Sequence, residues 1–232
     1  MPRYPRLFIP DIPLHIVQRG HDRRPVFFDR SDYRYYLDNL AETKADLSIR
    51  VLAYCLMTNH VHLVLVPGDK PESISKLMRV LAARQTRRTN KLDARTGTLW
   101  DGRFKASLID TDTYLLCCCR YVDLNPVRAS IVESPEDYEW SGFRSRRDGD
   151  FDGLLDSHTV FDQLGRTPAA RAIAYQRFVG EGTSSTELSL IRDAAQRNQL
   201  VGVSRFKSKL EARTGRRLST KSRGRPGKNG RK

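Results

Sequence analysis

Cysteine, methionine and tryptophan are scarce in this 232-residue chain, numbering four, three and two. Three of the cysteines are consecutive (Cys117, Cys118, Cys119). Neighbouring helical residues diverge by about 100°, so these three cannot make a disulfide framework, and no CxxC spacing offers a zinc site. No apolar run approaches the roughly 18–20 residues that cross a bilayer. The opening Met1-Pro2-Arg3-Tyr4-Pro5-Arg6 lacks the apolar stretch of a signal peptide. Neither a P-loop nor an HExxH sequence occurs. Acids are few as well, 27 against 41 lysines and arginines. These absences exclude a membrane span and a disulfide-stapled secreted scaffold. They predict a reduced cytoplasmic setting.

What is present is a core's worth of apolar residues and an uneven positive charge. Hydrophobic residues make up 39% of the chain, enough to bury a core of its own. The net charge is +14, of which the stretch from Ser204 to Lys232, with twelve basic residues and one acid, carries +11. A mildly basic body with a strongly basic end predicts a partner that is nucleic acid or another anionic surface.

The apolar pattern reads as strand, helix, strand, strand, helix, strand, helix. Leu14–Arg19 alternates as a strand, and Ser31 stands as an N-cap before a helix reaching about Asp46. Ile49–Met57 and His60–Val66 flank the turn Thr58-Asn59 as a hairpin. Ile74, Leu77, Met78 and Leu81 mark one face of a second helix, and Arg103–Ile109 reads as a fourth strand. Asp112 caps a third helix that Pro126 ends. Four strands interleaved in this order predict a ferredoxin-like antiparallel sheet with helices on one face, an α/β (α+β) sandwich. Residues 1–144 form that domain, 145–213 a small helical accessory DNA-binding region, and 214–232 a basic tail expected to be disordered. No internal repeat occurs.

Two groups of residues carry possible chemistry. Strand alternation sends His60 and His62 to one side of the sheet, and Val61, Leu63 and Leu65 to the other, toward the helices. Two imidazoles so placed either converge on a divalent ion or split into a packed ring and a hydrogen-bonded one. On the third helix, Leu115, Cys118, Cys119 and Val122 form the buried stripe. Tyr114, Tyr121 and Asn125 fall together on its flank, and Asp123 points away.

The stretches NHVHLV (59–64), LWDGRFK (99–105) and RYVDLNPVRA (120–129), with HIVQRG (15–20) and Trp140-Ser141, resemble the transposases that use one catalytic tyrosine and an HUH motif. More narrowly, they resemble the REP-associated tyrosine transposases. The likeness covers Tyr4 to about Arg144. It implies the ferredoxin-like fold, and a single-stranded DNA transesterase that binds hairpins such as repetitive extragenic palindromes. His60 and His62 match the metal ligands, Tyr121 the nucleophile, and Asn125 the amide that completes the site, where several relatives carry Gln. The implied cofactor is Mg²⁺ or Mn²⁺, which would neutralise the phosphate and orient it for in-line attack. Cleavage would leave a 5′-phosphotyrosine and a free 3′-hydroxyl, and the retained ester would permit rejoining without ATP.

Further DNA contacts are expected from Arg103 and Lys105 on the fourth strand, Arg19, Arg23 and Arg24 near the first, and Arg84, Arg87 and Arg88 on the second helix. Trp100 either stacks on an unpaired base or anchors its loop. Arg223 and Arg225 sit in a tail resembling a minor-groove hook. The expected protein is a monomer or homodimer, associated with the nucleoid of a bacterium. Four other readings compete: a non-catalytic hairpin-binding protein, an RNA-binding module, a zinc hydrolase, and Tyr114 in place of Tyr121 as nucleophile.

Overall fold

The computed structural model describes residues 6–148, 153–197 and 200–215. Four strands, β1 (Leu14–Arg19), β2 (Ile49–Met57), β3 (His60–Pro67) and β4 (Lys105–Leu108), pair antiparallel in the order β2-β3-β1-β4. This is the ferredoxin-like sheet. Its two crossover helices, α1 (Arg30–Asp46) and α2 (Ser73–Leu92), lie on one face. Leu14 and Ile16 of β1 and Val61, Leu63 and Leu65 of β3 meet Tyr36, Leu40, Ile74, Leu77 and Leu81 there. Each such fully buried side chain contributes roughly 1.5–3 kcal/mol relative to exposure.

Local chemistry explains the boundaries. Asp29, rather than Ser31, caps α1: its carboxylate accepts from the amides of Ser31 and Asp32. β4 is shorter than the alternation of Arg103–Ile109 suggests. The third helix, α3 (Thr111–Asp123), starts from Asp110 and not from Asp112. Nor does Pro126 simply end it. Proline is tolerated in a first helical turn, where its missing N–H costs nothing, and here it opens the short helix α4 (Asn125–Arg128).

The opposite face of the sheet is covered by α3 and by the chain that follows it. Leu115, Cys118, Cys119 and Val122 of α3 press on Leu52, Ala53, Cys55, Val64 and Val66. The further helices are α5 (Phe143–Asp148), α6 (Thr159–Asp162), α7 (Pro168–Gly180), α8 (Ser185–Arg197) and α9 (Ser204–Thr214). Phe143, Phe161, Tyr175, Val179, Ile191 and Ala194 join the α3 side of the core. Helices α5 to α8 thus share a core with the sheet, and α5 runs across the boundary expected at residue 144. The segments just before and just after these helices shield both sheet edges. The Leu56 amide donates to the Trp140 carbonyl and the Gly142 amide to Tyr54 on one side; Val201 exchanges amide bonds with Leu108 and Asp110 on the other. Unpaired edges invite pairing with other chains, so this covering has a clear physical use. The tail with Arg223 and Arg225 lies outside the described residues.

Two ion pairs fasten α3, one buried and one partly exposed. Asp123, fully buried, accepts from Arg146 of α5 at 2.9 Å and from the Tyr175 hydroxyl of α7 at 2.6 Å. Arg146 also donates to the Leu52 carbonyl of β2. Arg120 pairs with Glu187 of α8 at 2.9 Å and lies over the Phe178 ring. Burial raises the Asp123 carboxyl pKa, and Arg146 opposes that rise. Removing one partner strands the other charge in the interior, at a cost of about 3–5 kcal/mol. Arg146→Ala is therefore expected to lower the free energy of unfolding by about 3–5 kcal/mol in urea titrations.

Candidate active site

β3 and α3 meet at one end of the covered face, and there the sequence's two groups come together. His60 and His62 share that face, with ring centroids 5.0 Å apart. The Tyr121 ring stands edge-on to His62 at 5.8 Å. A third imidazole joins them, which the sequence reading had not singled out. His15 of β1 stacks on His62 at 5.2 Å with planes 13° apart, and its Nε2 lies 2.9 Å from His62 Nδ1. His60 is held from the turn, its Nδ1 lying 2.6 Å from Asn59 Oδ1.

All three rings are kept neutral. Burial, then the nearby Arg128 charge, lowers His15 to a pKa of about 4. Burial, then Arg19, does the same for His60, also to about 4. His62 is driven well below the usual value by burial and then by repulsion from His15 and His60. Neutral imidazole is the form that offers a lone pair to a cation.

Asn125 and Arg128 complete the tyrosine's surroundings. The Asn125 amide donates to the carbonyls of Tyr121 and Val122, both at 3.2 Å, and so closes the end of α3. Arg128 donates through Nη2 to the Tyr121 carbonyl and to Asn125 Oδ1, each at 2.8 Å, and its guanidinium lies 4.0 Å over the Tyr121 ring. Its Nη1 is buried with no partner among the described residues. Burial lowers the Arg128 pKa from its ordinary value.

These groups open into a cleft of about 890 Å³. Arg19, Arg23, Arg103 and Lys105 line it, as do Arg128 and Arg192, against two acids, Asp22 and Asp101. Six positive groups around one tyrosine favour an anionic ligand. The rim loop after β1 is fixed tightly. Gly20 bonds to the Asn59 carbonyl at 2.8 Å, and a Cβ there would stand 2.3 Å from the Arg24 carbonyl oxygen. The next turn places Asp22 and Arg23 in left-handed conformations (φ 53° and 58°), which non-glycine residues adopt at a cost of roughly 1–3 kcal/mol each.

Other residues singled out from the sequence are placed elsewhere. Trp100 is 4% exposed and its indole donates to the Ala82 carbonyl at 3.2 Å. It anchors its loop on α2 and presents no free face for stacking. Arg84 pairs with Glu42, and Arg88 with Asp32, on the α1–α2 side of the sheet. Their charges are already met there. Arg87 is exposed on the same helix, and Arg24 is exposed beside the rim loop; neither lines the cleft. Tyr114 packs beside the α3 core, whereas Tyr121 lines the cleft.

Four residues of the site escaped the sequence reading. His15 was legible in the alternation of β1, which turns it to the side of Val17 and Arg19. Arg128 stands seven residues after Tyr121, two helical turns on. Arg192 and Gln196 come from α8, and nothing in the local sequence could have brought them here.

A ferredoxin-like sheet whose histidine pair faces a tyrosine on a later helix, within a basic cleft, defines the class of protein. The sequence model of the family described as "Transposase IS200 like" matches residues 9–125, from before β1 to Asn125, and the chain belongs to that family. No curated protein matches it. Among solved structures, it is similar to a REP-associated tyrosine transposase bound to a REP hairpin. That structure is 18% identical, with a TM-score of 0.57 over 68% of this chain and 93% of the other, and the two share the fold. A candidate transposase from Deinococcus radiodurans R1, 18% identical over 58% of this chain and 96% of its own, reaches a TM-score of 0.37, too low to carry an argument. No described helix is long and apolar enough to cross a membrane.

The neutral rings give a pH dependence of defined sign. With a folded pKa of about 4 against 6.5 unfolded, His15 takes up its proton more readily in the unfolded chain. Stability is complete above pH 6.5 and is lost as the pH falls toward 4. The loss from His15 is about 3 kcal/mol. Thermal or urea unfolding of the metal-free protein between pH 7.5 and 4 is expected to show this decline.

Proposed function

We propose that the protein is a single-stranded DNA transesterase that binds a DNA hairpin and cleaves and rejoins the strand beside it. The observation that supports this best is the placement of Tyr121 against His62 at 5.8 Å, from two elements well separated in the chain, on the wall of a basic cleft. Membership of the transposase family agrees with it, and the similar fold seen with a REP hairpin suggests the kind of DNA.

The chain's own residues supply most of the steps. Arg19, Arg23, Arg103 and Lys105 would hold the backbone along the cleft, and Arg192 would close its far wall. Arg128 keeps the Tyr121 turn in place and carries an unpartnered guanidinium arm beside the phenol. Tyr121 would attack phosphorus through its phenolic oxygen. The bond from phosphorus to the 3′ oxygen breaks, that oxygen leaves as a hydroxyl, and the phenolic proton passes to solvent or a base. The phosphodiester is exchanged for a phosphotyrosine ester of similar energy, so a returning 3′-hydroxyl can reverse the step without ATP. The second strand end is joined in the same way.

The donor set fits a divalent cation. His60 and His62 are neutral, each with Nδ1 engaged by a protein group and with Nε2 bonded to no protein group among the described residues. Asn125 Oδ1 already accepts from Arg128 and retains one lone pair, so it is the weaker member of the set. No three histidines, cysteines or carboxylates are arranged as a metal cluster among the described residues, so two imidazoles and an amide would hold it. Bound Mg²⁺ or Mn²⁺ would supply charge neutralisation and orientation of the scissile phosphate.

Two measurements test this reading. With a labelled single-stranded palindrome and Mn²⁺, the wild type is expected to give a heat-stable protein–DNA band on a denaturing gel, and Tyr121→Phe none, while hairpin binding persists. Equal cleavage by both proteins would remove Tyr121 from the role. Arg192→Ala is expected to weaken hairpin binding and to reduce the log–log salt slope by about 0.7–0.9, the share of one phosphate contact, as read by fluorescence anisotropy across a salt series.

A further inference from the structure

His15 stands at the site without lining the cleft. It is 1% exposed, on the β1 face that carries Val17 and Arg19, while Leu14 and Ile16 face α1 and α2. Its one polar partner among the described residues is His62, at 2.9 Å between His15 Nε2 and His62 Nδ1. Two neutral imidazoles meeting nitrogen to nitrogen must divide the roles, one donating and the other accepting. When His15 donates, His62 bears its only proton on Nε2 and has no lone pair left for a cation. When His62 donates from Nδ1, its Nε2 lone pair is free.

We propose that His15 is a positioning residue: it accepts the Nδ1–H of His62 and so fixes the tautomer and ring orientation in which His62 Nε2 can bind a divalent cation. The inference rests on the metal reading above and adds to it a buried residue outside the ligand set. The stacking of the two rings, 13° from parallel at 5.2 Å, holds the same orientation. The remaining polar atoms of the neighbourhood are consistent with this direction of the bond. Acceptance at Nε2 leaves the His15 proton on Nδ1, which is buried with no partner among the described residues. Directly across β1–β4, Ser107 pairs with His15, and its hydroxyl is likewise buried with no partner. Paired residues of antiparallel strands share a face with Cβ atoms about 4.5–5.5 Å apart, so the hydroxyl and the Nδ1–H are neighbours that make no direct bond and that one water would bridge. A polar row then crosses the sheet beneath Tyr121, from Ser107 through His15 to His62. Metal-bound histidines ordinarily have their second nitrogen held by such an outer partner.

Two replacements separate the hydrogen bond from mere packing. Gln offers an acceptor oxygen near the position of the imidazole Nε2; Phe fills the space and accepts nothing. In titration calorimetry with Mn²⁺ alone, on the full chain without DNA, His15→Phe is expected to weaken binding about 10–100-fold, and His15→Gln to recover most of the loss. Circular dichroism melts check that both variants are folded, and hairpin binding in EDTA is expected to stay at the wild-type level. A wild type that takes up no Mn²⁺ overturns the metal reading and this inference with it. A wild type that binds Mn²⁺, together with a folded His15→Phe that binds it equally, overturns this inference alone. So does an equal loss in the Phe and Gln variants, since the effect would then belong to the shape of the ring.

Discussion

The packing of α3 on the sheet governs everything at the cleft. Its stripe of Leu115, Cys118, Cys119 and Val122 is wholly buried against β2 and β3. A helix seated on one stripe has its rotation fixed, and Tyr121, at the margin of that stripe, is delivered to His62. The seat is reinforced on the outer side by Asp123 with Arg146 and by Arg120 with Glu187. Buried charges of this kind add little net stability over an apolar equivalent. Their use here is geometric, because Asp123 and Arg120 each tie α3 to a helix of the outer layer. Small cysteines in the stripe have a related effect: they let the helix approach the sheet closely, with no thiol chemistry required.

The electrostatics of the site run in two directions. The floor holds three imidazoles that burial keeps uncharged, and the walls hold arginines and a lysine. Neutral rings next to positive walls are mutually consistent, since each cation nearby further disfavours protonation of a histidine. The balance suits a polyanionic strand: charge for binding is placed on flexible side chains at the rim, and lone pairs are kept at the floor. Asn125 and Arg128 stand between the two layers. They bind each other and the last carbonyls of α3, so the turn that carries Tyr121 is held at the place where the chain would otherwise fray.

Much of the fold was legible because it is written in local periodicity. The boundaries of β1 and β2 follow the sequence pattern, and alternation alone put His60 and His62 on one side of β3. The helical stripe of α3 followed from 100° steps in the same way. Errors arose where one residue's chemistry had competing outlets. Asp29 took the cap expected of Ser31, and Pro126 began a helix as readily as it could end one. Trp100 left two outcomes open, a stacking platform or a loop anchor, and the structure gives the anchor. A glycine-containing loop gives no sign of which element it folds back upon, and this one folds back onto α2. Arg84 and Arg88 looked free because their acidic partners lie on α1, forty or more residues away.

The sequence by itself determined the strand order along the chain, the faces of each element, and the residue types of the site, because side-chain alternation and helical twist depend only on near neighbours. Only the tertiary structure decided that His15 stands behind His62, that Arg192 reaches the cleft from α8, and that the later helices and the segments flanking them cover the far side of the sheet and its edges. Those outcomes depend on pairing between β1 and β3 and on burial of distant apolar faces. Such contacts are selected by the whole fold's gain in buried surface, and no short stretch of residues contains that information.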